Sequence, residues 1–365
     1  MSSTSQRRRP EPYIPDIGRA VVKPRLEGKG RVINLSLNES SYGASPRAVA
    51  AAQERCQRLN RYPDVASTEL RRAIGAHFGL DPDRIVCGNG SEELIDIIAR
   101  LYARPGDEIL FTEFGFIQFP IVTMRVGATA VRAPAPNQTA DVDALIERIT
   151  ERTRIIYLDN PNNPCGTYIP ADEVRRLRDN VPSHVVLVID SAYADFVDAR
   201  DYTDGIELVE GFENVIVTRT FSKAWGLAAL RVGWAYTSLS MARVMNRMRG
   251  IGNVNAIAQA TVLAALEDPD FVRGVREKTA AERARMTEAL GRMGLHVTPS
   301  VTNFLMIRFP SDTNRRASAA LAHLAEHGII VRAAEDYGLP DSLRITIGDT
   351  SENDKVLAAL ESFMV

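Results

Sequence analysis

The order of apolar runs predicts an α/β fold, a mainly parallel sheet with helices on both faces, followed by a smaller α+β domain. Two observations carry this. First, "DEILFTEF", "RIIYLDN", "HVVLVIDSAY" and "NVIVTRTF" are short β-rich runs, each behind a helical or turn segment. Several are apolar without alternation, as strands covered on both faces are. Second, after about residue 255 the pattern changes to one long helix and then short strands around another helix, which suits a second, smaller domain.

Taken in order, residues 1–35 are rich in Pro, Arg and Gly with weak periodicity and are predicted to form an N-terminal arm. The Arg7-Arg8-Arg9 cluster belongs to that arm and reads as solvated. Residues 36–255 form the large domain. In it "STELRRAIGAHF" places apolar residues at 70, 74 and 78 on one helical face, behind the cap candidates Ser67 and Thr68. "RIVCGNGSEELIDIIARLY" reads as a strand, a glycine turn and a helix. Residues 256–365 form the small domain: a helix from about Asp270 to Met293, "VTNFLMIRF", a helix around "RASAALAHLAEHG", then "GIIVRA" and "SLRITIGD".

A net charge of −2 implies neither a nucleic-acid partner nor a membrane surface, and no apolar run approaches the roughly 20 residues that cross a bilayer. The cysteines are few and odd in number, Cys56, Cys87 and Cys165, and no apolar run follows the basic arm as in a secretory signal. These features favour a reducing, cytoplasmic setting without structural disulfides.

Lysine is scarce. It occurs only at 23, 29, 223, 278 and 355, so most of the 44 basic residues are arginine. Lys223 is the exception to explain, because it stands between an apolar strand and a nearly uncharged segment. In an open parallel sheet ligands sit beyond the carboxyl ends of the strands, where polar residues follow apolar runs. Asp190, Asn163 and Lys223 all meet that description. Each alone has a plainer reading: a helix cap or ion pair for Asp190, a bare turn for "DNPNNPCGT", a surface lysine for Lys223.

"GNGSEEL" lies between a strand and a helix, where free backbone N–H groups and the helix dipole favour an anion such as phosphate. Glu92 and Glu93 complement that dipole and would repel a phosphate unless directed away. A dinucleotide fingerprint would need glycine where Glu93 stands, and the turn is no Walker loop. Thr220, Ser222 and Arg231 add hydroxyls and a guanidinium near Lys223. A lysine that can form a Schiff base, an acid beyond one strand, an asparagine turn beyond another and a phosphate cradle together are what pyridoxal 5′-phosphate requires. Lys223 would then carry the cofactor and later move a proton as a free amine of lowered pKa, Asp190 would face the ring nitrogen, and Asn163 and Tyr193 the ring 3-oxygen. "HLAEH", His323 to His327, matches a zinc-peptidase pattern, but little chain follows it, so a solvated helix face and no metal is expected.

These motifs resemble, in order and over nearly the whole chain from about residue 31, the fold type I pyridoxal-phosphate enzymes, and within them the histidinol-phosphate aminotransferase family. The resemblance implies that "LNESSYGASP", with Tyr42, is the N-terminal substrate segment, and that Tyr62 of "RYPD" reaches the partner's cofactor phosphate across a homodimer interface. It implies that Gly90, Ser91 and Glu92 form the phosphate turn, that Phe119 of "FIQFPIV" stacks on the cofactor ring, and that Arg332 and Arg344 grip the substrate anion. Cys165 replaces the usual threonine of the asparagine motif, and Ser40 and Ser41 depart from the usual "NENPYG". The expected activity is amino transfer between L-histidinol phosphate and the glutamate/2-oxoglutarate couple. An aromatic aminotransferase, a decarboxylase of the threonine-phosphate type and a non-catalytic binding protein on the same fold are the alternatives.

Overall fold

The computed structural model describes residues 32–311 and 314–365. The arm expected over residues 1–35, with its arginine cluster, lies outside the described residues up to 31. Its last part does not behave as an arm: β1 (Ile33–Asn34) pairs in parallel with a strand of the small domain, and Ile33 and Leu35 join that domain's core.

The large domain begins with α1 (Pro46–Arg55), whose first turn is closed by Ser45 Oγ accepting from the Ala48 N–H at 3.2 Å. Next comes α2 (Thr68–Phe78), where the cap differs from expectation. Ser67 is forced to a φ of 50° and its hydroxyl has no partner; Asp64 Oδ2 instead accepts from the Thr68 N–H at 2.5 Å and Oδ1 from the Ala66 N–H at 3.0 Å. A carboxylate further back reaches the free N–H groups better than a hydroxyl in that conformation.

The sheet and its helices then alternate: β2 (Ile85–Gly88), α3 (Ser91–Tyr102), β3 (Glu108–Thr112), α4 (Gln118–Arg125), β4 (Thr129–Ala133), α5 (Val142–Glu147), β5 (Thr153–Asp159), α6 (Ala171–Asn180), β6 (Val186–Asp190), β7 (Val215–Thr220), β8 (Gly233–Thr237) and α7 (Leu239–Met248). The seven strands lie in the order β2-β8-β7-β6-β5-β3-β4, and only β8 runs against its neighbours. Successive residues of one strand serve opposite cores: Ile156, Leu158, Leu187 and Ile189 pack with α1, α2, α5 and α6, whereas Ile155, Tyr157, Val186 and Val188 pack with α3, α4 and α7. This is why the strands read as unbroken apolar runs. Each such buried side chain contributes about 1.5–3 kcal/mol.

The expected boundary after residue 255 is displaced. α8 (Ala256–Leu266) is apolar all round and buries Ala258, Val262, Ala265 and Leu266 in the large domain's core. The change of domain falls within α9 (Pro269–Arg292), whose Val275 packs beside Tyr193 and Ala224 while Met286 and Leu290 enter the second core. The small domain adds β9 (His296–Val297), β10 (Phe304–Arg308), α10 (Ala317–Glu326), β11 (Ile329–Ile330), β12 (Arg332–Ala333), β13 (Ser342–Thr346) and α11 (Thr350–Met364). Four of these strands form an antiparallel sheet ordered β12-β13-β10-β9. The two histidines of "HLAEH" are engaged locally: His323 Nε2 pairs with Ser362 Oγ at 3.2 Å, and His327 Nδ1 donates to the His323 carbonyl at 2.8 Å. The three cysteines are free.

Candidate active site

The carboxyl ends of β5, β6 and β7 meet the small domain at a cavity of about 980 Å³. Asp190 ends β6, is 4% exposed, and accepts a hydrogen bond from Thr218 Oγ1 at 2.8 Å on the adjoining strand. Burial pushes its carboxyl up to about 6, against the lowering effects of the Thr218 hydrogen bond and the Lys223 charge. Three residues past β7, Lys223 stands in a turn closed by the Gly226 N–H donating to its own carbonyl at 3.0 Å. Its Nζ donates to the Leu37 carbonyl at 3.1 Å. Burial, helped by Arg344 and Arg231, lowers the ammonium to about 8, so a neutral amine is accessible near physiological pH.

This turn is pinned by a close approach. A Cβ on Gly226, at φ +70°, would come within 1.9 Å of the Gly43 carbonyl oxygen, so only glycine lets the Leu37–Gly43 segment pass over the Lys223 turn. That segment also brings Asn38, whose Nδ2 donates to Tyr193 Oη at 2.8 Å. Tyr193 stands edge-on to Phe304 and 5.7 Å from Lys223 Nζ, and burial raises its phenol pKa.

Across the cavity, Arg344 projects from the middle of β13. It donates through Nη1 to Asn163 Oδ1 and through Nη2 to the Ser36 carbonyl at 2.8 Å. Asn163 is held from its own side by its N–H donating to Asp159 Oδ2 at 2.9 Å. Arg332 lies beside it in β12, register partner of Arg344, with Nη2 on Asp336 Oδ2 at 2.9 Å.

The remaining corner is cationic. Arg231, at φ 56°, places Nη1 3.4 Å from Ser222 Oγ and Nη2 3.6 Å from Glu92 Oε2. Thr220 Oγ1 donates to Ser222 Oγ at 3.0 Å and accepts from the Ser222 N–H at 3.1 Å. Ser91 begins α3 at the same corner, so hydroxyls, a guanidinium and a helix N-terminus converge.

Residues 30–360 match the aminotransferase class I and II family. The chain is 46% identical over 358 residues to a histidinol-phosphate aminotransferase of Rhodopseudomonas palustris (strain BisA53), covering 96% of this chain and 98% of that one. It is 48% identical over 356 residues to a histidinol-phosphate aminotransferase of Paramagnetospirillum magneticum (97% and 98%). The chain belongs to the histidinol-phosphate aminotransferase family. Among solved structures, the histidinol-phosphate aminotransferase from Sinorhizobium meliloti in complex with pyridoxal 5′-phosphate superposes with a TM-score of 0.86 at 30% identity, covering 92% of each chain.

Membership in the histidinol-phosphate aminotransferase family makes the chain an aminotransferase, and the residues fit pyridoxal phosphate on their own geometry. A Cβ on Gly90 would stand 2.5 Å from Arg231 Nη2, so the glycine leaves the guanidinium room against the helix N-terminus, a cradle that would fit a phosphate. Asp190 is a buried carboxyl suited to a protonated ring nitrogen, and Lys223 Nζ is the amine at its side of the cavity. Glu92 is not directed away from the cationic corner as a phosphate would require; in this fold it pairs with Arg231 and accepts from Gln118 Nε2.

Eleven of the residues singled out from sequence line this cavity: Ser91, Glu92, Asn163, Asp190, Tyr193, Thr220, Ser222, Lys223, Arg231, Arg332 and Arg344. Gly90 stands directly behind Arg231. Phe119 is a correction: it is 0% exposed and stacked on Tyr157 at 4.7 Å and 7°, because α4 turns it into the core, and Phe116 presents an aromatic face to the cavity instead. Tyr42 likewise does not line the cavity; its ring packs on the Tyr193 and Phe304 cluster under Lys278 Nζ, and Asn38 and Glu39 take the lining positions. Tyr62 is 94% exposed on the surface. Asp159 was missed although its signal was present, since it ends the apolar run "RIIYLD" just as Asp190 ends "VVLVID". Thr218 gave no signal, being one polar residue inside a buried strand.

Proposed function

We propose that the chain is a pyridoxal-phosphate-dependent aminotransferase that takes its amino group from L-histidinol phosphate and passes it to 2-oxoglutarate, working in the cytoplasm as a homodimer. The observation that carries this is the meeting of Asp190, Lys223 and the Asn163–Arg344 pair in one cavity beside a cationic corner, in a chain 46–48% identical to proteins named histidinol-phosphate aminotransferase. Pyridoxal phosphate, when bound, supplies a carbonyl that condenses with amines and a ring that accepts the electrons of a broken bond.

The chain's own residues do the rest. Asp190 would keep a negative charge against the ring nitrogen, and Asn163 and Tyr193 would hydrogen-bond the ring oxygen. Arg231, Thr220, Ser222 and the start of α3 would hold the phosphate, which would take the place of the Glu92 carboxylate at Arg231. Lys223, lowered to about 8, would be the amine that holds the cofactor and, as a free base, the group that would take up and return a proton at Nζ. Arg344 and Arg332 hold the substrate's anionic end, and Phe116 walls the cavity. Tyr62, exposed on the surface, would serve a second copy's phosphate corner.

The test is a half-reaction screen of enzyme loaded with pyridoxal phosphate, mixed in turn with L-histidinol phosphate, phenylalanine and O-phosphothreonine while the cofactor absorbance is followed. Conversion by histidinol phosphate, reversed by 2-oxoglutarate, is expected. Silence toward it alongside conversion by phenylalanine refutes the substrate, and carbon dioxide release from phosphothreonine refutes amino transfer. Sedimentation at the monomer mass refutes the dimer.

A further inference from the structure

Two buried carboxyls, not one, floor the cavity. Asp159 and Asp190 end adjacent parallel strands as register partners, and each is 4% exposed. Register partners on neighbouring parallel strands project to the same face of the sheet, and both residues line the cavity.

Their surroundings differ. Asp190 has the Thr218 hydroxyl and the nearby Lys223 charge. Asp159 Oδ2 accepts from the Asn163 N–H at 2.9 Å and from Asn162 Nδ2 at 3.0 Å, while its buried Oδ1 has no hydrogen-bond partner. Among the described residues no cation forms an ion pair with it: Arg344 donates to Asn163 and Ser36, and Lys223 Nζ to Leu37. The other titratable groups that feel Asp159 are Cys165 and Tyr337, both neutral, with Asp190 on the next strand. A carboxylate with no cation partner, buried beside a second carboxylate, is strongly disfavoured, and the neutral acid is the form favoured there. Burial and the Asp190 charge accordingly hold Asp159 well above the usual carboxylate range.

We propose that Asp159 is a positioning residue of the reaction: a carboxylic acid kept neutral, whose Oδ2 seats the turn bearing Asn163. The cavity floor thereby presents one negative charge, on Asp190, to the ring nitrogen. The role rests on the reading of Asp190 as that nitrogen's partner. The two carboxyls titrate as a pair, with the proton resident on Asp159.

The test begins with cofactor-free protein labelled with carboxyl-13C aspartate, observed by infrared spectroscopy at about pH 8. A protonated carboxyl band is expected in the native protein and is lost in Asp159→Asn. Absence of the band, or its persistence in the variant, overturns the proposal. Next, Asp159→Asn, whose amide keeps both the acceptor and the donor, is expected to bind pyridoxal phosphate within about twofold of the native affinity and to hold the pH midpoint of the bound cofactor's absorbance within about 0.3 unit, whereas Asp159→Ala weakens binding by about tenfold or more. A midpoint displaced by about one unit or more in Asp159→Asn means that a negative charge has been removed, and overturns the proposal. A neutral Asp159 in a protein that binds no pyridoxal phosphate would overturn the functional reading and the role together, and leave the protonation state standing.

Discussion

Thr218→Val removes the hydroxyl that donates to Asp190 at 2.8 Å and leaves side-chain size almost unchanged. Both residues are buried, so no water replaces the lost donor. A hydrogen bond to a charged group inside a protein is worth about 1.5–3 kcal/mol, and one pKa unit corresponds to about 1.4 kcal/mol. The bond favours the ionised form, so its removal raises Asp190 from about 6 by about one to two units. The carboxyl then passes from mostly ionised at neutral pH to half ionised or less. The assay is the affinity of cofactor-free enzyme for pyridoxal phosphate measured from about pH 5 to about pH 9. Affinity is fully present above the Asp190 midpoint and is lost as pH falls through it, and this midpoint is expected to move upward by one to two units in Thr218→Val and to stay in place in Thr218→Ser. The titrations of the cofactor phosphate and of Lys223 are common to all three proteins, so the displacement isolates Asp190. Equal midpoints in Thr218→Val and native enzyme would refute the reasoning.

Three further outcomes are expected. Lys223→Ala should lower turnover by about 10⁴-fold or more while leaving pyridoxal phosphate bindable without a covalent bond, and surviving turnover in purified variant contradicts the role of Nζ. Asp336→Asn removes the negative charge that Arg332 pairs with at 2.9 Å, leaving only an amide acceptor, so KM for L-histidinol phosphate should fall by a few fold, about 1 kcal/mol, with kcat unchanged; a higher KM speaks against Arg332 as an anion ligand. Phe119→Leu should cost about 1–2 kcal/mol of stability in denaturant titration and leave the bound cofactor's absorbance unaltered, whereas an altered spectrum with native stability restores Phe119 to the cofactor ring.

The site residues that were legible in sequence share one property: they terminate or directly follow an element whose pattern is strong. Asp190, Asn163 and Lys223 follow buried strands, and Ser91 and Glu92 open a helix after a glycine turn, so the rule that ligands lie beyond strand ends finds them. Asp159 obeys the same rule. The turn after it, with its prolines and asparagines, has a plain turn reading that also covers an aspartate at its start.

The order of apolar runs determined the parallel sheet, its two covered faces and the second domain, because burial on both faces of a strand imposes an uninterrupted apolar pattern that local sequence carries. Which aromatic lines the cavity was settled by packing: α4 buries Phe119 on Tyr157, and Phe116, in the turn before that helix, is the one at the cavity; a helix phase depends on what packs against it. The domain boundary likewise followed packing, since α8 is apolar all round and takes its side from α1 and α2 rather than from its place in the chain. Protonation belongs to tertiary structure most of all. Asp159 and Asp190 end similar strands with the same side chain, and only the Thr218 hydroxyl and the Lys223 charge, brought from elsewhere in the fold, make one of them the ion and leave the other an acid.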